Sequence, residues 1–272
     1  RDPVEMNGAR ERLSDAILAH NYVQWILHEQ WDRARAAMRE LGVELMGDMP
    51  FIVCSESSDV WAHRDQFRMD VSLGAPPDAF SADGQDWGLP AYAWETMDKD
   101  GLGWLRARTK HAARLYDCFR LDHVVGYFRM WIRKPGERGG FYPADERDQL
   151  ARGERVLRTV IEAAGSTRVI AEDLGVIPPF VRATMSALGV PGYRVIPWEK
   201  DEHFRYRNPR EFPATSVATW STHDTKPITS WWSDLEGWER DQLDDLMQTR
   251  GLQNGQRLDA WMRTLLESGS SL

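Results

Sequence analysis

The chain has 272 residues, of which 42% are apolar, enough for one large domain or two small ones with a sizeable core. Its 34 basic and 42 acidic residues give a net charge of −8, which argues against a nucleic-acid surface and mildly favours a neutral substrate over an anionic one. Cys54 and Cys118 make no metal or redox spacing and read as reduced thiols, and no apolar run approaches the ~18 residues of a membrane span.

Residues 15–41 read as an amphipathic helix, because Ile17, Leu18, Tyr22, Val23, Ile26, Leu27, Trp31, Met38 and Leu41 recur at steps of three and four before Gly42. Trp25 and Trp31 in it, and Trp104 later, are expected to serve core or helix packing. The apolar run "VELMGDMPFIV" predicts a first strand near 43–51. From about 54 to 100 no period is sustained, and the Gly, Pro, Asp and Trp content reads as a long functional loop. From residue 103 helix-like and strand-like stretches alternate, with further strands expected near 117–123, 168–174, 193–199 and 214–222. Such alternation with short joins predicts a parallel α/β architecture. Two polar helices follow. The acidic run near 234–245 reads as a solvated helix face, and Trp231 and Trp232 are evenly balanced between core and substrate contact.

Four of these strands end on a carboxylate: Asp48 in "LMGDMP", Asp122 in "FRLDH", Glu172 in "IAEDLG" and Asp224 in "STHDT". One alone would read as a helix cap. Four together predict convergence at the C-terminal mouth of a (β/α)8 barrel. The seven histidines, at 20, 28, 63, 111, 123, 203 and 223, contain no His-x-His pair, so no metal site and no cofactor are expected. Retaining glycoside chemistry fits better; it needs an ionised nucleophile and a protonated acid about 5 Å apart. Arg120 and Asp122 share a strand face, and a guanidinium there favours the charged carboxylate that a nucleophile requires. Glu172 follows Val169, Ile170 and Ala171, an apolar setting that would raise its pKa toward that of a useful acid. Period two allows only one of Glu172 and Asp173 to face the axis, and spacing alone does not choose between them.

At this point the chain resembles a known family, the 4-α-glucanotransferases called amylomaltases or disproportionating enzymes, relatives of the α-amylases. "GVELMGDMPFIV" is similar to its third-strand motif, and "SSDVWAHRDQF" to its Ser-x-Asp-Val-Trp-Ala segment. "GAPPDAFSADGQDWGLPAYAW" resembles its loop signature, Pro-Pro-Asp followed by Gly-Gln-x-Trp-Gly-x-Pro-x-Tyr-x-Trp. "FRLDH", "AEDLG" and "STHDT" resemble its three carboxylate motifs. Leu89 departs from the family's usual Asn, and Thr-Lys-Pro follows His223-Asp224 where many members read Asn-Asp-Thr.

The resemblance implies a (β/α)8 TIM barrel with long loops inserted after strand 3. Residues 1–272 would be the middle of one catalytic domain, lacking its first strands and its last, with 52–103 as a substrate-binding loop insertion. It implies Asp122 as nucleophile, Glu172 as general acid/base and Asp224 as the third carboxylate. Arg120, His223, Asp48, Gln85, Trp87 and Tyr92 would bind substrate, leaving Asp173 a structural role. The implied activity moves α-1,4-glucan segments from a maltooligosaccharide or starch donor to a glucose or maltodextrin acceptor. The expected protein is cytoplasmic, with no nucleic-acid or membrane partner. An amylase-like hydrolase and a non-catalytic glucan-binding fragment are the rival readings.

Overall fold

The computed structural model describes residues 2–77, 81 and 83–271. Its strands, in chain order, are β1 Met46–Met49, β2 Phe67–Ala75, β3 Gln85–Tyr92, β4 Cys118–Leu121, β5 Met130–Arg133, β6 Gly140–Tyr142, β7 Arg168–Ala171, β8 Gly192–Val195 and β9 Ser216–Thr219. The five strands expected from the alternation are β1, β4, β7, β8 and β9; each is shorter than its expected span and lies inside it, except that β8 begins one residue earlier. They are parallel, as βαβ connections require. β1, β4 and β7 pair in that order, with Met49 opposite Leu121 and Leu121 opposite Ala171. β8 pairs with β9. The ladder breaks between β7 and β8, where the Ala171 N–H donates to the Pro191 carbonyl at 2.9 Å. Among the described residues, β1 and β9 are the outer strands of this parallel set, each paired on one side only.

Helices on the faces supply the core. Gly103–Leu115 and Glu146–Ala164 bury Leu105, Val156, Leu157 and Val160 against Phe119, Leu121 and Ala171. Trp104 is buried, as expected. A second cluster gathers Trp220, Leu243 and Trp261, and Trp231 and Trp232 pack against it, which assigns both to core.

Two expectations are corrected. The 54–100 stretch is not structureless: it holds β2, β3 and the helices Ser58–Ala62 and Trp94–Lys99. β2, β3, β5 and β6 form an antiparallel sheet in the order β3-β2-β5-β6. The pairing of β2 with β3 shifts register between Arg68 and Leu73 and again before Gly74, which erases the alternation that a sequence reading looks for. Gly74 lies so close to β3 that a Cβ there would sit 1.9 Å from the Gln85 carbonyl oxygen. The helix Ser14–Glu40 forms where predicted, yet buries no residue; Leu18, Tyr22, Val23 and Trp25 are exposed. What ties it down is polar. Arg35 and Arg39 each reach Asp117 at 2.7 Å, and the Trp31 indole donates to the Leu115 carbonyl at 2.9 Å. Among the described residues no helix is long and apolar enough to cross a membrane.

Candidate active site

Because β1, β4 and β7 run parallel and in register, their C-terminal ends line up. The ladder continues one residue past the strands: Asp122 N–H donates to the Met49 carbonyl at 3.2 Å, and Glu172 N–H to the Leu121 carbonyl at 3.0 Å. Asp122 and Glu172 are therefore neighbours on one edge, with Asp48 on the adjacent strand facing Arg120.

Arg120 is the centre of the cluster. One guanidinium nitrogen, Nη1, donates to both Asp48 oxygens at 2.9 and 3.0 Å. The other, Nη2, lies 2.8 Å from Asp122 Oδ1 and 3.5 Å from Glu172 Oε2. Burial works against the guanidinium's charge, but the Asp48 hydrogen bonds and the charges of Asp122 and Glu172 more than offset it, and its pKa is raised. The sequence reading found the Arg120–Asp122 pairing but not the hold on Asp48 and Glu172.

Main-chain amides complete the two carboxylates. Asp122 Oδ2 accepts from Phe51 N–H at 3.0 Å. Glu172 Oε2 accepts from His123 N–H at 2.8 Å, and its Oε1 from Leu174 N–H at 3.2 Å. The Glu172 side chain is 13% exposed against 31% for Asp122. Burial raises the Glu172 pKa, as does the negative charge of Asp122; the His123 and Leu174 amides and Arg120 pull the other way, and the net shift is upward.

His123 makes the turn from β4 into the helix Val124–Phe128 with left-handed backbone angles, φ 44° and ψ 57°. That turn aims its amide at Glu172. Its ring is packed between Phe51 and Trp87, at 5.3 and 5.2 Å between centroids, and burial holds its pKa down at about 4. Neither Phe51 nor His123 was expected from sequence to hold a carboxylate. Both act through the peptide group, which no side-chain motif reports.

Asp173 faces away from Glu172. It is 1% exposed, accepts from Tyr193 N–H at 2.7 Å and Arg182 Nε at 2.8 Å, and has Arg194 at 3.6 Å. A Cβ at Gly192 would fall 2.6 Å from its Oδ1, so only glycine leaves room for the carboxylate. The choice that spacing left open is thus made by packing: Glu172 joins Arg120, and Asp173 stitches β7 to β8.

The other expected residues are placed as follows. Trp87 sits against His123, and its indole donates to Gln85 Oε1 at 2.9 Å, so this pair lies beside the carboxylates on β3. Tyr92 differs from expectation. It is fully buried, its hydroxyl donates to the Phe51 carbonyl, and burial pushes its pKa up to about 12, so it stands behind the site rather than on a sugar-facing wall. Asp224 and His223 lie in the exposed turn after β9 and pair with each other at 3.2 Å. Among the described residues no hydrogen bond or ion pair ties either to the Arg120 cluster; β8 stands between β9 and β7. Asp78 of the Pro-Pro-Asp signature lies outside the described residues.

A family model described as 4-alpha-glucanotransferase matches residues 1–272. The 4-alpha-glucanotransferase of Chlamydia pneumoniae is 35% identical over 224 residues, covering 82% of this chain and 42% of that protein. That of Aquifex aeolicus is 32% identical over 253 residues, covering 89% of this chain and 51% of that protein. The amylomaltase of Streptococcus agalactiae, solved in complex with acarbose, superposes with a TM-score of 0.87 at 25% identity, across 100% of this chain and 55% of that one. The chain spans about half the length of the curated relatives it matches. With its whole length matched by the family model, the chain belongs to the 4-alpha-glucanotransferase family.

Proposed function

We propose that the protein is a retaining 4-α-glucanotransferase acting on α-1,4-glucans. β1, β4, β7, β8 and β9 would be consecutive staves of a (β/α)8 barrel. Residues 1–272 belong to its catalytic domain, and 52–103 are the substrate-binding insertion. The observation that carries this reading is that Asp122 and Glu172 share Nη2 of Arg120. Two carboxylates gathered on one guanidinium nitrogen are close enough to act on the same glycosidic bond, and the closeness is compatible with the about 5–5.5 Å of a retaining pair. The differing burial of the two side chains supports the division of labour.

In the first step an Asp122 oxygen attacks the anomeric carbon. The C1–O4 bond breaks, and the Glu172 proton goes to the departing oxygen. In the second, the 4-hydroxyl of another glucan attacks C1, Glu172 takes its proton, and the ester bond to Asp122 breaks. Asp224 and His223, brought in from the β9 side, bind hydroxyls of the reacting sugar. Asp48 holds Arg120, and Gln85 and Trp87 present a flat apolar and amide surface suited to a sugar face. The aromatic segment 84–94 would favour an acceptor sugar over water. Free Cys54 and Cys118 fit a cytoplasmic site of action.

The test is incubation of the intact protein with maltotriose. Chromatography should show glucose together with maltodextrins longer than the donor. Hydrolysis products alone, at high maltotriose, would move the assignment to an amylase-like hydrolase.

A further inference from the structure

We infer that Tyr92 is a positioning residue for the nucleophile, acting through the main chain of Phe51; this rests on the reading of Asp122 as that nucleophile. Phe51 follows β1 in a bend that belongs to no ladder, so nothing in the sheet fixes the orientation of its peptide groups. They are fixed from two sides instead. The Phe51 carbonyl accepts from the buried Tyr92 hydroxyl. Its N–H donates to Asp122 Oδ2 at 3.0 Å.

The ring of Phe51 is clamped as well. Tyr92 and Tyr127 meet it edge-on, at 5.4 and 4.8 Å between centroids, and His123 lies 5.3 Å away. Gly126 leaves it room, since a Cβ there would come within 2.5 Å of the ring. Phe51 is therefore linked to both halves of the carboxylate pair, directly to Asp122 and through His123 to Glu172. Its own amide holds Asp122, and its ring packs on His123, whose amide holds Glu172.

The chemistry explains why a neutral amide is useful at this position. Asp122 is charged before attack and is an uncharged ester afterwards. The attraction of Arg120 weakens when that charge is lost. An N–H bonds to a carboxylate oxygen and to an ester carbonyl alike, so Phe51 can orient Asp122 in both states. Tyr92 has no exposed surface with which to meet a sugar. The route proposed for its effect on turnover runs from the Phe51 carbonyl it holds to the Phe51 N–H on the other side of the same Cα.

The experiment uses the intact protein and two backgrounds. Tyr92→Phe keeps the buried ring and removes only the hydroxyl. In the otherwise unchanged enzyme, kcat for maltotriose should fall about tenfold while KM stays within about twofold. In Asp122→Gly the carboxylate is absent, and azide can take its place with α-glucosyl fluoride as donor. Azide nitrogen then bonds to C1, the C1–F bond breaks, and β-glucosyl azide and fluoride are released. Here Tyr92 has nothing left to position, so azide rescue should run equally fast with Tyr or Phe at 92.

An equal loss in both backgrounds, or no loss in the first, overturns the inference. Failure of azide to rescue Asp122→Gly at all overturns the assignment of Asp122 itself, and the inference with it. Should Tyr92→Phe fold poorly, Phe51 is replaced by its α-hydroxy acid, which exchanges the N–H for an ester oxygen and keeps the Tyr92 bond. The same split between backgrounds is expected, and its absence is equally fatal.

Discussion

One nitrogen of Arg120 lies between two carboxylates that the proposed reaction needs in opposite protonation states. What separates them is burial, which raises the Glu172 pKa, and the charge of Asp122, which raises it further. The two residues should then fail differently when replaced. Glu172→Gln removes the proton donor, but fluoride needs little protonation to leave. With α-glucosyl fluoride this variant should accumulate a glucosyl-enzyme visible in the intact mass. Asp122→Asn should form none with any donor. An adduct seen only in Asp122→Asn would reverse the roles. His123 gives a second prediction, in stability. Burial and the nearby Arg120 lower its pKa from 6.5 to about 4, against the pull of Asp122. Between these values the unfolded chain binds a proton that the folded chain refuses, so this contribution to stability is full above pH 6.5 and is lost as pH falls toward 4. Denaturant titrations at several pH values should show that slope, and His123→Asn, which tolerates the left-handed turn, should flatten it. An unchanged slope in the variant would mean that other groups carry it.

At the scale of elements, two glycines separate helix propensity from packing. Gly153 sits inside the helix Glu146–Ala164, where a Cβ would lie 2.0 Å from the Phe128 ring. Gly153→Ala gains about 0.5–1 kcal/mol of helix propensity and incurs about 1–3 kcal/mol of overpacking, so melting should fall. Gly255 in the helix Asn254–Leu266 has nothing within 4 Å, and Gly255→Ala should raise the melting temperature. If both variants moved in the same direction, the close approach at Phe128 would not be the cause. The same contrast between pattern and packing explains what the sequence revealed. The five parallel strands were legible because each is a short run between turn signals, and the carboxylates near or beyond the C-terminal ends of four of them stand at motif positions. The antiparallel sheet was not, because register shifts between Arg68 and Gly74 destroy its period. The site was legible in its charged side chains and invisible in its amides: Phe51 and His123 carry no signal for what their N–H groups do. Tyr92 was read by motif as a sugar contact, and only its burial shows that it faces inward. The helix Ser14–Glu40 has the pattern of a buried helix without the burial, since periodicity says which face is apolar and not what covers it.

Across the whole molecule, the parallel strands fall into a set of three and a set of two, joined at a seam between β7 and β8. Among the described residues the main-chain amides that donate over that seam are Ala171 N–H, to the Pro191 carbonyl, and Tyr193 N–H, to the Asp173 carboxylate. Glu172 stands in the chain between Ala171 and Asp173. The proposed acid is thus mounted on the joint, not on either half. Local opening costs less than global unfolding wherever few bonds must be broken, so the joint should part first on heating. Residual turnover should therefore vanish a few degrees below the loss of far-ultraviolet ellipticity. Arg182→Ala, which strips one ion-pair partner from Asp173, should widen the interval. Coincident curves would show that the seam is as firm as the strands beside it. On this view the protein wears out from its hinge pin: heat disarms the proposed acid while the rest of the molecule is still standing.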